Sequence, residues 1–222
     1  MEFETEEQQA EAVKKWFREY GLTIALGLVL GLGGVYGYRY YDQYAEQGLA
    51  SESAAYDLII KAQADNSDED KFIADADAYR TQYGSNAYSN LLGLKLAKIA
   101  VDNKDLEKAE TELNRVVNEA AHKVIAHTAR LRLVRVLIAQ EKYEQGLTAI
   151  AASTDDAYQY SYELLRGDIW MARGDSAKAK AAYDKAKSLA TDSPQHPDLD
   201  MLLSELASVE KTSTAEPGAG NE

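Results

Sequence analysis

The residue types suited to chemistry in this 222-residue chain are mainly carboxylates, because it contains 37 Asp and Glu, three His and no Cys. The lack of cysteine excludes disulfides, thiolate metal sites and thiol catalysis. His122 and His127 are five residues apart, whereas two ligands on one helical face need a spacing of four. No zinc-protease, nucleophile-elbow or phosphate-loop motif is present. The sequence therefore predicts no catalytic residue, no metal site and no cofactor.

The overall charge excludes a further class of function. The chain carries 24 Lys and Arg against its 37 acidic residues, a net charge of −13, and 45% of its residues are hydrophobic. Nucleic-acid backbones are bound by clustered cations, so nucleic acid is not an expected partner. Carboxylates on amphipathic helices are expected to form a solvated surface. The composition is that of a globular protein with a core of its own.

A turn pattern that repeats along the chain predicts a domain built of helix pairs. From about residue 50 onward apolar residues recur at helical spacing, and no segment alternates as a strand does. The turn regions VDNKDLEKA (101–109), AQEKYEQG (139–146) and MARGDSAKA (171–179) resemble one another. The small residues that follow them, Ala109, Gly146 and Ala179, are 37 and 33 residues apart. This spacing is close to the 34-residue period of tetratricopeptide repeats, which are pairs of antiparallel helices.

Aligning the three units on these small residues predicts further positions that pack between helices. Small residues are needed where paired helices cross, and large apolar residues fill the space between neighbouring pairs. The last unit fits the pattern best, through Gly167, Trp170, Ala179, Tyr183 and Ala186. The other aligned positions are Ala97 and Val134 before the turns, and Leu113, Ile150, Val116 and Ser153 after them.

Terminal elements are expected to cover the two ends of this stack. Residues 52–64 and 70–83 predict an N-terminal helical pair, with Ser67 or Asp68 as the cap of its second helix. After Pro197, apolar residues at helical spacing predict a C-terminal capping helix over 199–209. Residues 212–222 have nothing to bury and are predicted to be a disordered tail.

The N-terminal region predicts a membrane helix. Its longest uncharged stretch, Gly21 to Tyr38, has 18 residues and is flanked by aromatic side chains, which suits a hydrocarbon layer of about 30 Å. Lys14, Lys15 and Arg18 precede the stretch, whereas Arg39 alone follows it closely, so the N-terminus is predicted to be cytoplasmic. The predicted organisation is a cytoplasmic segment at 1–20, a transmembrane helix at 21–41, a periplasmic repeat domain at 42–211 and the tail at 212–222. The apolar face of residues 13–20 predicts either a helix in the cytoplasmic headgroup layer or the first turns of the membrane helix.

Glycines in this stretch allow three interpretations. Gly27 with Gly31, and Gly33 with Gly37, have the GxxxG spacing that lets two membrane helices approach closely, although glycine is also frequent in such helices generally. Gly31, Gly33 and Gly37 also form a GxGxxxG string, but dinucleotide binding requires strands that the pattern does not predict. A cleaved signal peptide remains an alternative, with cleavage near Ala50.

Taken together, the layout resembles a known family, the YfgM-like ancillary subunits of the bacterial Sec (SecYEG) translocon. The resemblance rests on EAVKKWFREYG before the glycine-rich stretch, YGYRYY after it, and repeats ending in LRGDIWMARGDSAKAKAAYDKA, and it covers about residues 5–210. It implies an inner-membrane protein with a periplasmic repeat domain that contacts the translocon, membrane lipid and a membrane-anchored peptidyl-prolyl isomerase. It also implies hand-over of exported polypeptides to periplasmic chaperones. A general cell-envelope scaffold and a membrane-bound enzyme are the alternatives.

The resemblance also predicts a binding groove, because the first helix of each tetratricopeptide pair lines the concave surface. Apolar stripes on these helices suit a peptide, and Lys98 and Arg135 suit a carboxylate, although Asp168 at the equivalent place argues against a continuous clamp. The stripes are alternatively core, or covered by the 199–209 helix. The predicted groove residues are Leu94, Lys98, Val101, Leu131, Arg135, Ile138, Leu164, Asp168 and Met171.

Overall fold

A computed structural model describes residues 6–65, 68–153, 155–190 and 197–214, and these residues form α-helices joined by short turns. No strand occurs in the described ranges, so the predicted all-α fold is confirmed. The helices are α1 (Glu6–Asp65), α2 (Glu69–Tyr83), α3 (Ala87–Asp102), α4 (Leu106–Glu119), α5 (Lys123–Ala139), α6 (Tyr143–Ala151), α7 (Gln159–Ala172), α8 (Ser176–Leu189) and α9 (Pro197–Thr214), with a 3-10 turn at Asp156–Tyr158.

The chain divides into two units, Met1–Asp57 and Leu58–Glu222. In the described part of the chain, α1 is the one helix long and apolar enough to cross a membrane. Its most apolar 18-residue window has a mean hydropathy of 1.6, and none of that window is buried. The helix continues through residues 20, 41 and 52, because no proline interrupts it and Gly48 alone does not end a helix. The predicted separate helix at 52–64 is therefore the end of α1, and the domain boundaries stay predictions.

The three predicted helix pairs are present as α3 with α4, α5 with α6, and α7 with α8. The positions that align in all three units are buried, whereas Trp170, which fits the pattern only in the third unit, is half-buried. Leu113, Ile150 and Tyr183, at one such position, each belong to a hydrophobic cluster. The cluster around Ile150 also contains Val134 of α5 and Ile169 of α7, so it joins the second pair to the third. The core thus lies between successive pairs, as expected of a repeat stack.

The turns inside the three pairs have one backbone conformation. Their second residues, Lys104, Glu141 and Gly174, have φ values of 62°, 59° and 80°. In each turn this residue donates a hydrogen bond three residues back, and the next residue donates one five residues back, as from Asp105 N to Ala100 O at 2.8 Å. These are the two bonds of the Schellman motif. Only the third turn places glycine, the residue with the least steric cost, at the left-handed position.

Carboxylates then begin the second helix of two pairs. Asp105 accepts a hydrogen bond from Lys108 N, and Asp175 accepts one from Lys178 N, each at 3.0 Å. Asp68 caps α2 in the same way, which confirms it as a cap; Ser67 lies outside the described residues. Such caps satisfy backbone donors that a helix leaves unpaired at its N-terminus.

Bonds between successive pairs connect residues about one repeat apart. Arg80 donates two hydrogen bonds to Glu112, at 3.2 and 2.7 Å, across a separation of 32 residues. Lys142 pairs with Glu110 across 32 residues at 2.7 Å. Gln140 Nε2 donates to the Leu106 carbonyl across 34 residues at 2.9 Å. The polar contacts therefore follow the same nearest-neighbour pattern as the hydrophobic clusters.

Helices also cover the two ends of the stack. At one end α2 packs on α3, and Lys95 Nζ of α3 donates to Gln63 Oε1 of α1 at 2.8 Å. At the other, Leu199 and Leu206 of α9 are buried with Ala179 and Tyr183 of α8. The predicted C-terminal capping helix is therefore present. It extends through Thr214, and the rest of the predicted tail lies outside the described residues.

Candidate binding groove

The first helices of the first two pairs, α3 and α5, border a pocket of about 400 Å³. We call it the α3–α5 pocket. Its walls include side chains of α4 as well, so the pocket lies over the core of the first repeat. A volume of this size falls within the range of ligand-binding pockets. The lining residues are Ala97, Lys98, Val101, Leu106, Leu113, Arg132, Arg135, Val136 and Ala139.

The pocket combines an apolar floor with basic side chains and has no acidic lining residue. Lys98 forms an ion pair with Asp102, one helical turn away, and both side chains are largely exposed. No ion pair to Arg132 or Arg135 is found among the described residues, and both side chains are exposed. An arginine offers several donors in a planar arrangement that matches a carboxylate. The arrangement can therefore hold an apolar group next to a negative charge.

Three of the nine predicted groove residues, Lys98, Val101 and Arg135, come together in this pocket. Leu94, from the same helix, lies in the core and is only 7% exposed. Met171 lies at the end of α7, away from the pocket lining, with 39% of its surface exposed.

The remaining apolar members of the predicted stripes are half-buried against two other clusters. Leu131 and Ile138 pack on the cluster shared by α5, α6 and α7. Leu164 packs on the cluster that α8 shares with α9, together with Leu202 and Leu203. Among the side chains that the structure describes, those of the C-terminal helix thus contact the predicted stripe in the third repeat.

Asp168 is occupied by a contact within its own repeat. The Tyr183 hydroxyl donates a hydrogen bond to Asp168 Oδ1 at 2.8 Å. Burial raises the pKa of Asp168, although the hydrogen bond and the charge of Arg135 act in the opposite direction. Burial also raises the pKa of Tyr183, and the neighbouring carboxylate raises it further. Asp168 therefore links α7 to α8 and is not part of the α3–α5 pocket.

A buried histidine connects the second and third repeats at a different place. His127 Nδ1 lies 2.7 Å from the Tyr162 hydroxyl, and its ring stacks on Tyr158 with centroids 3.8 Å apart. Its Nε2 lies 3.6 Å from Asp155 Oδ2. Burial lowers the pKa of His127, and the charges of Arg130 and Lys123 lower it further, whereas Asp155 raises it. The histidine holds the 3-10 turn between the repeats in place.

Sequence reasoning missed Arg132 and the two leucines that α4 contributes to the pocket, Leu106 and Leu113. The prediction considered only first helices, whereas part of the floor of the pocket comes from the second helix of the first repeat, α4. The spacing of Arg132 from Arg135, three residues on one helix, is the signal that was available, because side chains at i and i+3 are neighbours.

The glycines of the predicted membrane helix are exposed within their own unit. A Cβ added at Gly27, Gly31, Gly33 or Gly37 would have no neighbour within 4 Å. The Gly27–Gly31 pair and the Gly33–Gly37 pair lie on two different sides of α1, and both sides are open within this unit. Packing of either pair against a second membrane helix stays a prediction.

The chain has one N-terminal helix that is apolar enough to cross a membrane, followed in sequence by helix pairs stacked in repeats. This organisation defines the class as helical-repeat proteins. The family model described as tetratricopeptide repeat-like domain matches residues 14–208, and the chain belongs to this family. No solved structure matches the chain significantly.

Several named proteins are similar in sequence to this chain along most of its length. A protein of Aggregatibacter actinomycetemcomitans is 30% identical over 192 residues, which is 83% of this chain and 90% of the relative. One of Haemophilus influenzae is 29% identical over 182 residues, 82% and 88% of the two chains. One of Escherichia coli is 28% identical over 182 residues, 82% and 87%. All three are named ancillary SecYEG translocon subunit. The predicted resemblance to this family is therefore confirmed.

Proposed function

We propose that this chain is a membrane-anchored, non-catalytic accessory subunit of a SecYEG-type translocon. The observation that carries the proposal is the similarity, over more than four-fifths of the chain, to proteins named for that role. The apolar and unburied window of α1 supports an anchor, and the stacked helix pairs support binding of other proteins. An anchor beside the channel raises the effective concentration of a partner, so modest affinity is sufficient.

The proposal includes an orientation and an organisation of the chain. Residues 1–20 are cytoplasmic, 21–41 cross the inner membrane in contact with lipid, and 42–211 form the periplasmic domain. The excess of Lys14, Lys15 and Arg18 over Arg39 supports this orientation. Because the chain has no cysteine, single cysteines at Glu11 and Lys108 test it directly. In intact spheroplasts a membrane-impermeant maleimide is expected to label position 108 and not position 11; the opposite result contradicts the orientation.

The proposal also includes partners and a task. Within the membrane, the face with Gly27 and Gly31 contacts a channel subunit or a membrane-anchored peptidyl-prolyl isomerase. Outside it, the repeat domain receives exported polypeptides and passes them to periplasmic chaperones. The proposed groove comprises the α3–α5 pocket and the neighbouring predicted positions on α5 and α7.

Site-specific photocrosslinking in intact cells tests these contacts. Probes at Gly27 and Val101 are expected to trap translocon subunits and exported chains, respectively. A probe at Lys108, which is exposed and does not line the α3–α5 pocket, is the control. Crosslinks to other envelope assemblies, in place of crosslinks to the translocon, would instead support a general cell-envelope scaffold. A single polar substitution that abolishes function without altering folding would support an enzyme.

A further inference from the structure

The central first helix, α5, is basic although the chain as a whole is acidic. Its charged residues are Lys123, Arg130, Arg132 and Arg135, and it contains no Asp or Glu, whereas the chain has a net charge of −13. In the described structure none of these four side chains forms an ion pair with a carboxylate. Most other described cations of the repeat helices do, including Arg80, Arg115, Arg166 and Lys142.

Two pockets beside α5 differ in charge. The α3–α5 pocket is lined by Lys98, Arg132 and Arg135 and by no acidic residue. A second pocket, of about 380 Å³, lies between α4, α5 and α6; it is lined by Glu110 and Glu144 and by no Lys or Arg. The lining of the first pocket therefore carries the opposite charge to that of the second, and its basic character does not follow from the acidic overall composition.

We infer that the α3–α5 pocket selects acidic, apolar polypeptide segments, in which Asp or Glu flanks an aliphatic side chain. The aliphatic group would occupy the floor formed by Val101, Leu106 and Val136, and the carboxylate would pair with Arg132 or Arg135. The inference rests on the proposed function, because it names the kind of exported segment that the groove would receive. Charge complementarity supports the choice of an acidic occupant.

The arginines are placed to act together. Arg132 and Arg135 lie one turn apart on α5, so their side chains project on the same side of the helix. Lys98 lines the same pocket from α3 and forms an ion pair with Asp102. The pocket lining contains no carboxylate, and the charge of Arg135 acts on Asp168 of α7 without forming an ion pair with it in the described structure. A bound segment would therefore not have to break an existing ion pair to reach the arginines.

Peptide binding to the full chain in phosphatidylcholine nanodiscs tests the inference. The probes are three dye-labelled nonapeptides in which four Leu alternate with five Asp, five Ser or five Lys, measured by fluorescence anisotropy. The Asp peptide is expected to bind about tenfold more tightly than the Lys peptide, with the Ser peptide between them. Added salt should weaken binding of the Asp peptide and leave that of the Ser peptide nearly unchanged.

Charge reversal supplies the matched comparison. The double variant Arg132→Glu, Arg135→Glu is expected to abolish or invert the order of affinities of the three peptides. Lys61→Glu with Lys108→Glu changes the net charge equally at exposed positions outside the pocket lining, and should leave the order unchanged. Equal affinities of the three peptides, or an order that the arginine variant retains, would overturn the inference.

The outcome is distinguishable from failure of the proposed function. Crosslinks to the translocon without charge selection by the pocket would overturn the inference alone. Charge selection without such crosslinks would overturn the translocon assignment and support the pocket chemistry. If phosphatidylglycerol in the nanodisc displaces the Asp peptide in an arginine-dependent manner, the pocket binds lipid headgroups and the inference is wrong.

Discussion

Replacing Gly167 by alanine is expected to destabilise the third repeat strongly. A Cβ at this position would lie 2.2 Å from Cε1 and 2.4 Å from Cδ1 of Tyr183. Carbon atoms in van der Waals contact are about 3.5 to 4.0 Å apart, so the tyrosine ring must retreat by about 1 Å or more. The ring is 2% exposed and its hydroxyl is bonded to Asp168, so it has little room and loses a hydrogen bond when it moves.

The size of this effect follows from three contributions. Overpacking a well-filled site costs about 1 to 3 kcal/mol, and the hydrogen bond to the Asp168 carboxylate contributes about 1.5 kcal/mol or more. Alanine is favoured over glycine in a helix by about 1 kcal/mol, which offsets part of this cost. We expect Gly167→Ala to lower the free energy of unfolding by about 2 to 3 kcal/mol.

Urea unfolding of the full chain in mild detergent measures the effect, with Trp170 as the fluorescent probe of the third repeat and Trp16→Phe removing the other tryptophan. Gly146→Ala is the matched control, because the nearest atom to its Cβ would be the terminal Cδ1 of Ile169 at 3.0 Å, and the next two atoms, at 3.7 and 3.9 Å, are at ordinary van der Waals distance. The control should change stability by less than about 1 kcal/mol. An unaltered midpoint for Gly167→Ala, or a larger loss for the control, would refute the reasoning.

Three further substitutions test other features. Lys104→Gly should raise the free energy of unfolding by about 0.5 to 1 kcal/mol, measured by thermal unfolding, because the residue has a φ of 62°; a decrease would contradict this. Burial raises the pKa of Asp168, so its stability contribution is present at low pH and is lost as pH rises through the native pKa. Asp168→Asn keeps an acceptor for Tyr183 and removes the partly buried negative charge. It should therefore increase stability at pH 7 but not in acid, where Asp168 is already neutral, and urea midpoints at several pH values measure this difference. Burial lowers the pKa of His127, so stability should fall as pH decreases below about 6.5. His127→Gln should reduce that slope, and an identical pH profile for the variant would exclude the histidine as its cause.

The repeat pattern was predictable because packing between helices restricts residue size. Ala109, Gly146 and Ala179 occur at equivalent positions where only a small side chain fits, and their spacing reveals the period. The shared turn conformation was not predictable in full. Gly174 indicates a left-handed residue, but Lys104 and Glu141 adopt the same conformation at a cost that packing of the flanking helices compensates.

The pocket was predictable only in part, for a geometric reason. Helical spacing shows which residues share one side of a helix, but it does not show which neighbouring helix covers them. Leu94 and Val101 of α3 were both predicted to line the groove, yet Leu94 is in the core and Val101 lines the pocket. Leu113 was predicted to fill the space between repeats, and it also forms part of the pocket floor.

The nearest-neighbour bonding of the stack has a consequence for the order in which it is built. Bonds such as Arg80 to Glu112 and Gln140 to Leu106 connect residues 32 to 34 positions apart, and no more than the next repeat is needed to complete them. A chain delivered N-terminus first can therefore complete α2–α4 before α7–α9 have been synthesised or delivered. Each helix pair can therefore pack as soon as the next pair is available. The apolar surface that is exposed at any moment during folding is then limited to that of about one helix pair.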